Sequence, residues 1–179
     1  MPAAIIHLRR ARTSDARAIA DVHVRTWREA YRDLLPADFL AALDTDSRER
    51  HWSAELSVMP AERMPWLADA NGEVAGFASI GPSRDPDAGP ASGELYAIYV
   101  LPEYWARGVG ADLLRRAEHD LLAHGYAEAT LWVLADNQRA CRFYERRGWR
   151  LDGERMDNIG GIEVREVRYR RTLDAARLS

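Results

Sequence analysis

Apolar positions along the chain change period several times, and those changes outline its elements. Ile5, Ile6 and Leu8 mark a short first strand. Thr13, Ser14 and Asp15 offer helix-capping side chains, after which Ala16, Ile19, Ala20, Val22 and His23 recur at helical spacing toward Ala30. Pro36 is suited to open a second helix through Phe39, Leu40 and Leu43, and residues 47–56 extend the pattern as a further short helix. Residues 66–68 and 74–80 read as strands flanking Asn71-Gly72, a strong hairpin signal. Residues 81–93 are rich in Gly, Pro, Ser and Asp and read as a mobile loop.

The next run is the most informative. Tyr96, Ile98 and Val100 alternate with Leu95, Ala97 and Tyr99, so neither face is polar, as in a strand covered on both sides, and Pro102 stops it. Leu113, Leu114, Ala117, Leu121 and Leu122 then recur at steps of three and four until Gly125 ends the helix. Residues 129–134 form a fifth strand. Asp136-Asn137 caps a helix carrying Ala140, Phe143 and Tyr144 that closes at Gly148-Trp149. Two final strands follow at 150–156 and 163–169. Helices set among mostly antiparallel strands predict an α/β sandwich with a mixed sheet.

Composition narrows the class. At 179 residues with 47% hydrophobic content, the chain suits one well-buried domain spanning residues 1–179. A net charge of -3 argues against a general nucleic-acid binder, although all 25 basic residues are arginine. Cys141 is the only cysteine, which rules out an intrachain disulfide and suits a reducing cytoplasm. No signal-peptide pattern and no membrane-length apolar run is present, so a cytoplasmic protein without a membrane partner is expected. His7, His23, His51, His119 and His124 show no ligand spacing, so no metal is expected.

Arg107-Gly108-Val109-Gly110 stands where the strand at 95–100 gives way to the helix. The first turn of a helix has N–H groups without intrahelical partners and carries the positive end of the dipole, so it attracts phosphate. Glycines allow an anion close approach, and Arg107 adds charge. The same residues equally suit a tight turn with purely steric demands. A dinucleotide fingerprint does not fit, because the third glycine is missing.

Trp105-Ala106-Arg107-Gly108-Val109-Gly110 resembles the pyrophosphate loop of the GNAT N-acetyltransferases, Gln/Arg-x-x-Gly-x-Gly/Ala, with Trp105 where Gln or Arg is usual. Residues 137–149 resemble that family's second motif, Asn-x-x-Ala-x-x-Phe-Tyr followed by Gly-Phe, here Asn137, Ala140, Phe143, Tyr144 and Gly148, with Trp149 in place of Phe. The resemblance covers nearly the whole chain and is nearest in character to bacterial small-amine and polyamine acetyltransferases. It implies the GNAT acyltransferase fold, a mixed, mostly antiparallel sheet flanked by helices, and acetyl-CoA as co-substrate. It further implies that Ile98, Tyr99 and Val100 hold the pantetheine and the acetyl carbonyl through their backbone. The turn from Trp105 through Ala106, Arg107, Gly108, Val109 and Gly110 to Ala111 then binds the pyrophosphate, with Asn137 on the pantetheine and Arg139 or Arg142 at the nucleotide end.

For the chemistry, Tyr144 occupies the place of the family's general acid, and a phenol with an ordinary pKa of about 10 holds its proton at neutral pH. Packing beside Phe143 is the alternative role for that ring. Glu94 coincides with a position where some members carry a general base, although a solvated strand-start glutamate is an equal reading. Trp27, Tyr31, Tyr96 and the 81–93 loop are candidate walls for the acceptor. The implied reaction is direct acetyl transfer to a primary amine, of a small molecule first. A protein N-terminus or lysine is the second candidate, and a non-catalytic acyl-CoA sensor the third. A homodimer is a further expectation.

Overall fold

A computed structural model describes residues 6–175; Ile5, expected in the first strand, lies outside the described residues. Among those residues the order is β1 (Ile6–Arg10), α1 (Ala16–Ala30), α2 (Ala37–Ala41), α3 (Thr45–Val58), β2 (Trp66–Ala70), β3 (Glu73–Pro82), β4 (Ser92–Val100), α4 (Val109–Ala123), β5 (Glu128–Leu134), α5 (Gln138–Glu145), β6 (Arg150–Ile159) and β7 (Ile162–Thr172). This is the expected sequence of elements, with longer strands at β3, β6 and β7. The third helix begins earlier than the apolar pattern indicates, because the Asp44 carboxylate accepts the backbone N–H groups of Asp46 and Ser47 at 3.2 and 2.9 Å.

The strands form one sheet in the order β1-β2-β3-β4-β5-β7-β6. Every neighbouring pair is antiparallel except β4 and β5, which run parallel. On one face Ile19, Ala20 and Val22 of α1 and Trp52 and Leu56 of α3 pack on Leu67 and Phe77. On the other, Leu113, Leu114, Ala117 and Leu121 of α4 and Cys141 and Tyr144 of α5 pack on Ile80, Leu131 and Val133. Each fully buried leucine of this kind contributes roughly 1.5–3 kcal/mol of transfer free energy.

The parallel pair is short. Ser92, Gly93 and Glu94 are in register with Glu128, Ala129 and Thr130, after which the strands part. At that point Ser79 pairs with Ala97 and Ile80 with Leu95, so Tyr96 is an extra residue in β4. An inserted residue bends a strand and increases its twist, which carries β4 away from β5. The gap is the space around which the site is built.

The 83–91 connection is the expected loop, shortened at both ends by β3 and β4, and its side chains tie it to the sheet. Buried Asp85 accepts hydrogen bonds from Thr130 Oγ1 at 3.1 Å, Trp132 Nε1 at 2.8 Å and the Arg168 guanidinium at 3.2 Å. Asp87 also binds Arg168, at 2.7 Å. Ion pairs with a strand arginine hold the loop down on β5 and β7.

Candidate active site

The turn between β4 and α4 is shaped by two residues with positive φ, Ala106 at 59° and Gly108 at 86°. Gly108 immediately precedes the first residue of α4, so the N–H groups of Val109, Gly110 and Ala111 stand in the first turn without intrahelical partners. Positive φ explains Gly108 on backbone grounds. Gly110 differs: a Cβ there would meet only ordinary contacts, 3.6 Å from the Phe143 ring and 3.8 Å from Val100. Internal packing does not require a glycine at 110, and the space beside it opens into the cleft.

Trp105, the departure from the family pattern, has two partners. Its indole N–H donates to the Val100 carbonyl at 2.6 Å, and Thr26 Oγ1 donates to the same oxygen at 3.1 Å. At the end of β4, side chains thus satisfy the last strand carbonyl. The Arg139 guanidinium of α5 lies 3.4 Å over the Trp105 ring, a cation–π contact that spans the two motifs. Burial lowers the pKa of Arg139.

A cleft of about 750 Å³ runs between the parted strands. Of the residues expected at the coenzyme site, Ile98, Tyr99, Val100, Trp105, Ala106 and Gly108 line it. Gly110, Ala111, Asn137, Arg142 and Tyr144 line it as well. The side chain of Asn137 also caps α5, accepting the Ala140 N–H at 3.1 Å. Tyr144 is 7% exposed and rests against Phe143, Trp149 and Tyr169. The ring thus packs against its neighbours while the residue lines the cleft. Among the described residues nothing hydrogen-bonds the Tyr144 hydroxyl, and burial raises its pKa, so the phenol keeps its proton.

Arg107 and Val109 do not line the cleft: Arg107 is exposed, and the Val109 side chain is buried in the core. On the acceptor side, Tyr31 and Tyr96 line the cleft and Trp27 does not. Trp27 lies behind Tyr31, edge-on with ring centroids 5.0 Å apart. The 83–91 loop, held on β5 and β7, forms no part of the lining.

Glu94 is placed differently from a base at the thioester. It lies in the closed part of the strand pair, outside the lining, and is 2% exposed. Its carboxylate accepts the Arg84 backbone N–H at 2.8 Å and the Arg84 guanidinium at 2.5 Å. These bonds fasten the loop to β4 and occupy the oxygens a base would need.

Trp132 and Thr26 line the cleft without having been singled out from sequence. Strand alternation carries the only signal for Trp132: Leu131 and Val133 enter the core, so Trp132 faces the opposite side. There Asp85 holds its N–H and the Arg155 guanidinium lies 4.0 Å over its ring. Nothing in the local pattern distinguishes Thr26 from other helix residues.

A sheet that opens between two parallel strands, with a helix N-terminus and several arginines along the gap, is built to hold a long, phosphate-bearing ligand through its middle. The chain belongs to the acetyltransferase (GNAT) family, whose profile matches residues 18–149. It is 34% identical over 165 residues, 91% of each chain, to the uncharacterised N-acetyltransferase YuaI of Bacillus subtilis. Among solved structures it resembles the PaiA N-acetyltransferase of Thermoplasma acidophilum in complex with coenzyme A, with TM-score 0.67, 21% identity and coverage of 90% of this chain and 98% of that one. It also resembles the YncA protein of Salmonella typhimurium, solved with acetyl-CoA, with TM-score 0.71, 20% identity and 95% of each chain covered.

Proposed function

We propose that this GNAT enzyme transfers an acetyl group from acetyl-CoA to a primary amine of a small molecule, directly and within a ternary complex. The supporting observation is that the protonated, unpartnered Tyr144 hydroxyl shares one cleft with the open first turn of α4. Relatives bearing coenzyme A and acetyl-CoA support the choice of co-substrate.

The residues present suit that ligand. The N–H groups of Val109, Gly110 and Ala111 supply donors for a pyrophosphate, and the open side of Gly110 leaves room for it. Arg142 adds charge on the facing helix. The unpaired edges of β4 and β5 offer backbone groups to an amide-bearing arm, as an added strand would use them. Acetyl-CoA supplies an activated thioester. Tyr144 holds a proton within the cleft for the departing sulfur, and the confined walls orient an amine toward the carbonyl. A cleft lined by the large rings of Tyr31, Tyr99 and Trp132 favours a small acceptor.

Thiol release from acetyl-CoA, measured with the purified protein over a panel of amines, tests the proposal. Amine-dependent release supports it. Tight acetyl-CoA binding with no release on any amine would point instead to a sensor.

A further inference from the structure

The cleft is distinctive in its charges. Among the described residues that line it there is no aspartate, glutamate or histidine. Arg139, Arg142, Arg146 and Arg147 line it, and none of the four forms an ion pair among the described residues, although Glu29 and Glu118 act on Arg139 and Arg147 from a distance. The remaining titratable lining groups are phenols, of which Tyr31, Tyr99 and Tyr144 are held protonated by burial.

Acids and bases nearby are committed elsewhere. On β4, Glu94 is taken by Arg84. On β7, Glu166 accepts two hydrogen bonds from Arg155 of β6, at 2.9 and 2.7 Å. On α1, Glu29 pairs with Arg32. His23 of α1 sits behind Tyr99, ring centroids 4.9 Å apart, with both nitrogens buried and unpartnered. Burial pulls its pKa down to about 3, far too low for a useful base at neutral pH. An alkylammonium entering this cleft would find no carboxylate or imidazole in its lining to pair with it or to take its proton.

Resting on the acetyltransferase reading, we propose that the acceptor is a weakly basic primary amine, such as an α-amino group or an arylamine, that enters as the free base. Strongly basic alkylamines and polyamines are then poor acceptors, unlike what the family resemblance first implied. The free base also balances the chemistry. Its nitrogen lone pair forms the bond to the acetyl carbon, the C–S bond breaks, and the electron pair leaves on sulfur. Tyr144 gives sulfur a proton and recovers one from the nitrogen, so no further base is needed. An ammonium must first lose an additional proton to solvent.

The test measures kcat/KM for wild-type enzyme and acetyl-CoA from pH 5.5 to 9.5 with hexylamine, leucinamide, a decapeptide with a free N-terminus, and aniline. At pH 7 the free-base fractions of amines with pKa about 8 and about 10.4 differ roughly 230-fold. The expected result is at least a tenfold preference at pH 7 for leucinamide, the peptide or aniline over hexylamine. The break in each ionisable acceptor's profile should follow that amine's own pKa. Leucinamide or aniline without the peptide identifies a small-molecule source, and the peptide alone a polypeptide N-terminus. A limb at one pH shared by all acceptors, or a preference for hexylamine at pH 7, would overturn the proposal. So would loss of a limb in Glu166→Gln, which would make Glu166 a base acting through water. No release with any amine at any pH would overturn the acetyltransferase reading itself.

Discussion

The indole N–H of Trp105 donates to the Val100 carbonyl at 2.6 Å, tying the turn between β4 and α4 to the end of the strand from which it departs. Trp105→Phe keeps a ring for Arg139 to stack on and removes that bond. Because Thr26 still satisfies the carbonyl, folding should change by about 1 kcal/mol or less. The freed turn should bind acetyl-CoA several-fold more weakly, as read by calorimetry, while kcat at saturation stays within about twofold.

Gly110→Ala separates the two readings of the glycine turn. A Cβ at 110 has ordinary contacts only, and alanine is the better helix former, so the melting temperature should hold or rise. Coenzyme affinity should nevertheless fall by about tenfold or more, because the methyl group occupies the anion's approach. Unchanged affinity would leave the turn with a steric role alone.

Tyr144→Phe removes the hydroxyl and leaves the packing against Phe143, Trp149 and Tyr169. Turnover should fall by about a hundredfold or more, the usual scale for a lost general acid, with acetyl-CoA affinity within about twofold. Single-turnover and binding measurements read the two effects separately. Wild-type turnover would remove Tyr144 from the reaction.

His23 should make stability depend on pH. Its pKa is about 3 in the fold and about 6.5 in the unfolded chain, so below pH 6.5 the unfolded state binds the extra proton. The contribution is complete above pH 6.5 and is lost as pH falls toward 3, by up to about 1.4 kcal/mol per pH unit. Urea midpoints for wild type and His23→Leu should diverge between pH 7 and 4.5, with the variant flatter. Parallel curves would show that His23 protonates without unfolding.

Much of the site was legible because two of its components are local. A glycine before a helix and an Asn-to-Tyr spacing of one helical face are encoded within a few residues, and Gly108, Gly110, Asn137 and Tyr144 all stand at the cleft. Trp27 shows the limit of that reasoning. Helical spacing places it near Tyr31 and cannot say which ring forms the wall and which backs it. Glu94 shows the same limit for charge. A glutamate in a strand is compatible with base or clamp until its partner is known, and Arg84 is ten residues away across a loop.

Periodicity and capping residues by themselves determined the order of strands and helices, the turn that opens α4, and the helix that carries Tyr144, since all depend on short-range backbone preferences. Only the tertiary structure decided where β4 leaves β5, which carboxylates are consumed by Arg84 and Arg155, and that unpaired arginines line the gap between the strands. Those properties arise from pairings between distant segments, and the charge of the cleft depends on which groups find partners outside it.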